Sequence, residues 1–185
     1  MIRPIVAYGQ PILQQAAAPV SPEQEGLPEL IQDMFDTMAA AGGIGLAAPQ
    51  VNVGLRLFIT GKPSHTDPFF DKETRYPGKV FINPEIRATG GLFSTQLEGC
   101  LSLPHMQASV LRPTHIRVRY QDHLMETHEE SFSGYMARVI QHEFDHLEGV
   151  LITDRIHKHR QKSLRPHLRA IANGKVEADY ALMPH

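Results

Sequence analysis

The clearest periodic pattern along the chain lies between residues 27 and 40. Apolar side chains recur there at intervals of three and four positions, which is the spacing of one face of an amphipathic helix. These positions are Leu27, Leu30, Ile31, Met34, Phe35 and Met38. Pro28 stands near the start, and Gly42 and Gly43 follow the end. The pattern predicts a helix of about fourteen residues.

Two further helices are predicted in the second half of the chain. Helical spacing follows Ser133, a plausible N-cap, and continues to Gly149, which supplies a C-terminal stop. The repeating positions are Met136, Val139, Ile140, Glu143 and Leu147. A third helix is expected to begin near Asp154, and Pro166 should kink, end or restart it. Its basic side chains are Lys158, Arg160, Lys162, Arg165 and Arg169.

Alternation of apolar and polar residues predicts the strands. Ile116, Val118 and Tyr120 alternate with arginines, which indicates a half-buried strand, and residues 124–132 are expected to return antiparallel to it. Shorter strands are predicted at 56–60 and 79–82. Residues 61–78 are interpreted as a surface insertion, either a lid or, as we favour, a decoration. The glycine-rich, apolar run at 43–50 predicts an extended, buried segment.

Composition and charge restrict the class of protein. A length of 185 residues fits a single domain, expected at 1–170 with an irregular tail at 171–185. The net charge of −2 provides no broad field for DNA or an anionic membrane. The apolar run at 38–48 is too short to cross a bilayer, and polar residues interrupt any signal peptide. The single cysteine, Cys100, suits a reducing compartment, so we expect a cytoplasmic protein.

The candidate chemistry centres on the second predicted helix. His142 and His146 lie one turn apart on one face, with Glu143 beside the first imidazole. This arrangement is typical of metal hydrolases in which the glutamate is the general base, and histidines that merely pack are the alternative. A catalytic site needs a third protein ligand. Cys100 is the best candidate for that ligand. The weaker candidates are Asp154, His157 and His159.

Three segments together resemble the peptide deformylase family. They are Gly-Ile-Gly-Leu-Ala-Ala-Pro-Gln at 43–50, Glu-Gly-Cys-Leu-Ser at 98–102 and Gln-His-Glu-Phe-Asp-His at 141–146. The order and spacing also match over most of the chain. The resemblance implies an α+β fold with antiparallel strands packed around a central metal-bearing helix. It also implies a hydrolase that removes formate from the N-formylmethionine of newly made polypeptides.

The same resemblance implies roles for individual residues. Three of them would hold one divalent ion, with water as the fourth ligand: Cys100, His142 and His146. Glu143 would take the proton of that water and pass it to the departing amine. The Gln50 amide and the Leu101 N–H would stabilise the oxyanion. Ferrous iron is the metal that the resemblance favours, although thiolate and imidazole ligands also suit Zn²⁺, Ni²⁺ and Co²⁺.

Substrate contacts are predicted on the glycine-rich segment and on the helix. Gly43 and Gly45 would let the substrate backbone run beside them as an added strand, although tight packing alone would also explain them. Gly99 would allow a similar close approach. An apolar slot for methionine is expected from side chains that could instead be ordinary core: Ile44, Leu101, Val139 and Ile140. Glu98 and Asp145 are predicted to orient imidazole N–H groups or neighbouring arginines, although either could instead be a plain structural hydrogen-bonding residue.

Several functional questions stay open at this point. Many relatives carry arginine where this chain has Gln107, so preference beyond the first substrate residue is not predicted. A metallopeptidase that cuts internal amides is one alternative function. A non-catalytic module that binds nascent chains is another. The basic third helix could dock on ribosomal RNA or remain a solvated face. A monomer is the default expectation.

Overall fold

The computed structural model describes residues 1–61 and 76–184, so the predicted insertion at 61–78 lies almost wholly outside them. The described part contains one antiparallel five-stranded sheet and three α-helices. The helices are α1 (Leu27–Ala40), α2 (Gly134–Leu147) and α3 (Lys158–Ala172). The strands, side by side in chain order, are β1 (Gly45–Ala47), β2 (Leu57–Gly61), β3 (Gly78–Cys100), β4 (Leu103–Gln121) and β5 (Thr127–Ser133). This is the expected α+β fold.

Helix α1 confirms the first predicted helix, including its length of 14 residues. All of its predicted apolar positions are buried, and they pack against side chains of β2 and of the start of β3. Burial of one large apolar side chain contributes about 1.5–3 kcal/mol, so this face holds the helix on the sheet. The segment at 43–50 is extended only in part. A 3-10 helix, Ala48–Val51, follows β1 and contains the buried Gln50.

Strands β3 and β4 form a long hairpin closed by Leu101 and Ser102. The prediction of a short strand at 79–82 is wrong in length, because β3 runs for 23 residues. Residues 85–97 of β3 are mostly exposed, so no apolar alternation marks them in the sequence. The strand pair predicted around 116–120 and 124–132 is confirmed, since β4 and β5 pair antiparallel.

Helix α2 confirms the second predicted helix and packs against most of the sheet. Its apolar face joins a core cluster with Phe58, Phe81 and Ile116. Ile140 is fully buried in this cluster, as ordinary core packing, the stated alternative to its place in the methionine slot, would have it. Gly149, with a φ of 70°, adopts the left-handed conformation that commonly ends a helix.

Helix α3 begins later than predicted, because a 3-10 helix at Ile152–Asp154 precedes it. The helix runs through Pro166 to Ala172, so the proline neither ends nor restarts it. Its five basic side chains are exposed, while Leu168 and Ile171 pack into the core. Beyond it, the tail is hydrogen-bonded to the backbone of Ile5. No helix in the described ranges is long and apolar enough to span a membrane.

Candidate metal centre and active site

A cavity of about 460 Å³ opens where β1, the end of β3 and α2 meet. Nearly all of the predicted site residues line it. They are Gly43, Ile44, Gly45, Gln50, Gly99, Cys100, Leu101, Val139, His142 and Glu143. The exception is His146, whose side chain is fully buried.

Two imidazoles and one sulfur atom converge at this cavity. Helix α2 places the rings of His142 and His146 one turn apart, with centroids separated by 5.1 Å. Cys100, the last residue of β3, brings its Sγ to 3.3 Å from Nε2 of His146. One ligand atom from each of these three residues lies within 4.8 Å of the other two. A thiolate and two imidazole nitrogens form a donor set suited to divalent ions.

The weaker candidates for the third ligand lie elsewhere. Asp154 accepts a hydrogen bond from the Leu151 N–H at 2.9 Å, which closes the 3-10 helix before α3. His157 and His159 are exposed and stack on each other at the start of α3. Among the described residues, none of the three joins the group formed around Cys100.

Glu98 fixes the tautomer of His142. Its Oε2 lies 3.0 Å from Nδ1 of His142, and an ionised carboxylate can only accept. Nδ1 therefore carries the proton and leaves Nε2 free to bind an ion. Burial alone would raise the pKa of Glu98, but hydrogen bonds from His142 and Arg112 lower it to about 2. The carboxylate thus stays charged at neutral pH, in agreement with the predicted orienting role.

A buried network of arginines supports this carboxylate; the sequence predicted arginine neighbours for Glu98 and Asp145 but not which arginines they are. Arg112 donates two hydrogen bonds to Glu98, at 2.7 and 2.9 Å, and one to Asp145 at 2.8 Å. Arg138 donates to Glu98 at 2.7 Å, and Arg155 donates to Asp145 at 3.0 Å. The available signal was an arginine, Arg112, at a position that the alternation of β4 assigns to the interior.

The environment of Glu143 is the opposite of that of Glu98. The residue is buried, and within the described part of the chain its Oε2 has no hydrogen-bond partner. Burial raises the pKa of Glu143 to about 7, although the charges of His142 and Arg112 act in the other direction. A carboxyl group with a pKa near neutrality can both accept and release a proton during a reaction.

The glycines around the cavity differ in the space they leave. A Cβ at Gly45 would lie 2.3 Å from Oε1 and 2.7 Å from Cδ of Glu143, so the glutamate occupies that space. Gly43 is also closely packed, with a side-chain carbon of Leu101 at 2.9 Å from the corresponding position. Around Gly99 the nearest atom is 3.9 Å away. Tight packing is therefore a sufficient reason for Gly43 and Gly45, whereas a Cβ at Gly99 would make only ordinary van der Waals contacts.

Two N–H groups lie beside the sulfur. The Gln50 side chain accepts a hydrogen bond from the Ala47 N–H at 2.9 Å through Oε1, which fixes the orientation of the amide. Its Nε2 therefore points to Ser102 Oγ, at 3.2 Å, and to Cys100 Sγ, at 3.6 Å. The second group is the N–H of Leu101, which donates no hydrogen bond within residues 1–61 and 76–184.

The apolar part of the cavity wall includes Ile44, Leu101 and Val139, three of the four residues predicted for the methionine slot. Ile44 is 41% exposed and Val139 only 9%, so the wall extends from the rim inward. Gln107 lines the same cavity. The position at which many relatives carry arginine therefore faces the site in this chain as well.

The charges around the three donors fit a cation. Burial, together with the charges of His142 and Arg112, lowers the pKa of His146 well below its usual value, so its ring stays neutral, as a metal ligand must be. Burial opposes charge on His142 too, yet the neighbouring Cys100 and Glu98 raise the pKa of His142. The Cys100 sulfur and the Glu98 carboxylate thus favour positive charge on His142, next to the carboxyl oxygen of Glu143 that has no partner among the described residues.

A second group of possible ligands lies in the turn between β4 and β5, where Asp122, Glu126 and His128 come together. Asp122 accepts hydrogen bonds from the N–H groups of Leu124 and Glu126, at 2.8 and 3.0 Å, and from the His128 ring at 2.8 Å. These bonds close the turn, so we regard this cluster as structural.

A sulfur and two imidazoles that could hold a metal ion, beside a buried carboxyl oxygen with no partner among the described residues, form the kind of site that metal-dependent hydrolases use. The sequence profile of the family described as polypeptide deformylase matches residues 2–162. The chain therefore belongs to the peptide deformylase family.

Known members of this family are similar over nearly their whole length. The peptide deformylase of Salinibacter ruber is 44% identical over 185 residues, which cover 99% of this chain and 95% of that protein. The crystal structure of the Plasmodium falciparum enzyme has a TM-score of 0.80 and 33% identity, covering 92% of this chain and 95% of the other. The crystal structure of the Thermotoga maritima enzyme has a TM-score of 0.74 and 39% sequence identity, covering 85% of this chain and 99% of the other.

Family membership identifies the reaction. The protein is a metal-dependent hydrolase that removes the N-formyl group from the methionine of polypeptides, and its substrate is an N-formyl-Met peptide. The alternatives, a peptidase for internal amides and a non-catalytic binding module, are not favoured by the relatives, which are named peptide deformylases.

Proposed function

We propose that Cys100, His142 and His146 hold one divalent ion and that this ion serves deformylation. The observation that carries the proposal is the approach of their three ligand atoms to within 4.8 Å of one another. When bound, a divalent ion polarises a carbonyl oxygen and lowers the pKa of water toward neutrality. Glu98 supports the set by holding His142 in the tautomer that offers Nε2.

Glu143 moves the proton in this proposal. As water attacks the formyl carbon, the carboxylate accepts its proton, and it then delivers the proton to the methionine nitrogen that departs. The pKa of about 7 suits both steps. Gln50 Nε2 and the Leu101 N–H donate to the oxygen on which negative charge develops. A neutral amide suits this place, because a carboxylate would repel the charge.

The substrate enters as an extended chain in this proposal. Gly43, Ile44 and Gly45 line the cavity together with Gly99, which lies at the end of β3 and has room for close approach. The substrate backbone pairs with these segments, as an added strand does. Ile44 and Val139 form the apolar walls that receive the methionine side chain.

The test of the ligand set is metal content. Cys100→Ala should lose bound metal and formate release together, since one of three protein ligands is gone. His128→Ala is the matched control, because it removes a histidine from the other candidate cluster. His128→Ala should retain both bound metal and formate release. Metal loss in the His128 variant with metal retained in the Cys100 variant would move the site to the β4–β5 turn.

We also propose ferrous iron as the working metal. The support is the family resemblance, together with a thiolate and two imidazoles, which Fe²⁺ accepts as ligands. The chain loaded anaerobically with Fe²⁺ should release formate from a formyl-Met peptide faster than the chain loaded with Zn²⁺. Equal or higher activity with Zn²⁺ would contradict this choice.

A transient contact between α3 and ribosomal RNA is proposed from the five exposed basic side chains of the helix. A pull-down of ribosomes at low salt should weaken when Lys158, Arg160 and Lys162 are changed to Glu. Reversal of two exposed arginines on β4, Arg117 and Arg119, is the control and should leave it intact. Binding that survives the triple reversal would end the idea.

We further propose a single catalytic unit at 1–170 with the tail 171–185 attached, acting as a monomer in the cytoplasm. A monomer is the default expectation for a chain of this length. The support for the cytoplasm is the substrate, the formylated end of a new polypeptide. Sedimentation of the purified protein tests the monomer, and cell fractionation tests the location.

A further inference from the structure

Three large apolar side chains are exposed beside the cavity, on the β3–β4 hairpin. Phe93 is 67% exposed, Leu97 65% and Leu111 57%. In the register of the hairpin, Leu111 pairs with Thr95, which lies midway between Phe93 and Leu97 along β3. Leu111 is therefore a diagonal neighbour of both, at a distance that long and aromatic side chains bridge. We call Phe93, Leu97 and Leu111 together the hairpin patch.

The hairpin patch lies on the face of β3 that points away from α2. Successive side chains of a strand point to opposite faces. Glu98 is buried, and its carboxylate accepts hydrogen bonds from His142 and Arg138 of α2. Its neighbours Leu97 and Gly99 therefore point the other way. A contiguous exposed apolar patch often marks an interaction surface.

Two observations connect the hairpin patch with the substrate site. Leu97 belongs to the patch and also lines the cavity, together with Gly99. In addition, one edge of β3 is open beside the cavity. Strand β2 pairs only with residues 78–82 of β3, and no other strand of the described residues lies along residues 85–100 on the edge away from β4. An open edge can accept an extended chain as a further strand.

A substrate that follows this edge can run in only one direction. Its formylated end lies at Cys100, where β3 ends and the chain turns into β4. The rest of the substrate must therefore pass Gly99 and Leu97 towards Phe93, antiparallel to β3. In the proposed binding mode the first side chain points to Val139 of α2. The second, fourth and sixth side chains then point to the face that carries the hairpin patch.

We propose that the hairpin patch binds apolar side chains at the fourth and sixth positions of the N-formyl-Met polypeptide, and so favours new chains that are apolar at these positions. The inference rests on the proposed entry of the substrate as an added strand beside Gly99. With the second residue opposite Gly99, the fourth lies opposite Leu97 and the sixth opposite Thr95. The short Thr95 side chain leaves room between Phe93 and Leu97, with Leu111 behind it.

The test uses two heptapeptides of identical composition, with formate release as the readout. Formyl-Met-Ala-Ser-Leu-Ser-Leu-Ser has leucine at the fourth and sixth positions, and formyl-Met-Ala-Ser-Ser-Leu-Ser-Leu shifts both leucines by one. We expect KM to be about fivefold lower for the first peptide, as for partial burial of two leucines. The kcat values should be equal, because contacts far from the reacting bond act on the ground state and the transition state alike. Equal KM values would overturn the inference.

Two variants test whether the hairpin patch causes the difference. Phe93→Ser and Leu111→Ser should each bring the KM values of the two heptapeptides to within about twofold of each other. Leu124→Ser is the matched control, because Leu124 is also an exposed leucine, at 65%, but lies in the turn between β4 and β5. It should keep the parental difference. A difference that persists in the first two variants, or disappears in Leu124→Ser, would contradict the assignment.

A second copy of the chain is the other candidate occupant of the hairpin patch. Sedimentation of the parent and of Leu111→Ser at the same concentration tests this alternative. A parental dimer that Leu111→Ser dissociates would assign the patch to a subunit interface and overturn the inference. Monomers in both samples agree with it.

Failure of this inference is distinguishable from failure of the proposed entry. The tripeptide formyl-Met-Ala-Ser ends before the hairpin patch, and Gly99→Ala should raise its KM. An unchanged KM for this tripeptide would refute the entry beside Gly99 and, with it, the inference. A raised KM for the tripeptide, combined with equal KM values for the two heptapeptides in the parent, would refute only the role of the hairpin patch.

Discussion

Two buried glutamates, Glu98 and Glu143, lie on either side of His142 in opposite environments. Glu98 is 7% exposed and accepts four N–H bonds, from Arg112, Arg138 and His142. Glu143 is 4% exposed, and one of its oxygens has no partner in the described part of the chain. The pKa of Glu98 is lowered to about 2, while that of Glu143 is raised to about 7.

The difference shows how one side chain type serves two purposes. Burial opposes ionisation of both carboxyl groups, and only compensating hydrogen bonds decide the outcome. Where arginines surround the carboxylate, it becomes a fixed negative support for a ligand. Where they do not, it can exchange a proton near neutral pH. Both glutamates line the cavity, but the chain thus separates the fixed carboxylate that supports His142 from the carboxyl group that can carry a proton.

Removing Arg112 should have the largest effect on stability, because it leaves Glu98 and Asp145 short of partners in the interior. We expect Arg112→Met to lower the free energy of unfolding by about 3–5 kcal/mol, measured by urea denaturation. Arg117→Met is the control on the same strand, since its ion pair with Glu129 is exposed. It should cost less than about 1 kcal/mol. Equal losses of unfolding free energy in the two variants would mean that the buried network contributes no more to stability than the exposed ion pair.

The position of Glu143 is tested by adding one methyl group at Gly45. Gly45→Ala would place a Cβ 2.3 Å from Glu143 Oε1, so the carboxyl group must move. We expect kcat to fall about 100-fold, as for a displacement near 1 Å of a catalytic group. Gly99→Ala adds the same methyl where the nearest atom, the Met106 carbonyl oxygen, would be 3.9 Å away, an ordinary van der Waals distance. It should raise KM and leave kcat close to the parent; a similar kcat loss in both variants would contradict this explanation of Gly45.

A smaller effect is expected in acid. The pKa of Glu98 is lowered from 4.5 to about 2 in the folded chain, so its stabilising contribution is complete above the unfolded value and is lost as the pH falls toward 2. The free energy of unfolding should therefore decline between pH 4.5 and 2. In Glu98→Gln this decline should be shallower, whereas the exposed Glu129→Gln should keep the parental slope. Equal slopes of unfolding free energy against pH in all three chains would contradict a contribution of Glu98 to stability in acid.

The sequence predicted the structure best where apolar residues repeat at helical spacing and where functional residues lie on such a helix. Both α1 and α2 follow from their apolar spacing, and the His142–His146 pair follows from one turn of helix. Most of β3 could not be predicted, because residues exposed on both faces carry no alternation. The sequence predicted arginine neighbours for Glu98 and Asp145, but the identity of these arginines could not be predicted, for another reason. Their contacts join residues far apart in the chain, and neither periodicity nor local spacing records such pairs.

The central claim is that Glu143 carries the proton beside an ion held by other residues. Its most direct test is Glu143→Gln, with bound metal and formate release measured on the same preparation. The account predicts metal content equal to that of the parent and a loss of turnover of at least about 100-fold, the lower range for a general base. Turnover near the parental rate with metal retained would contradict it.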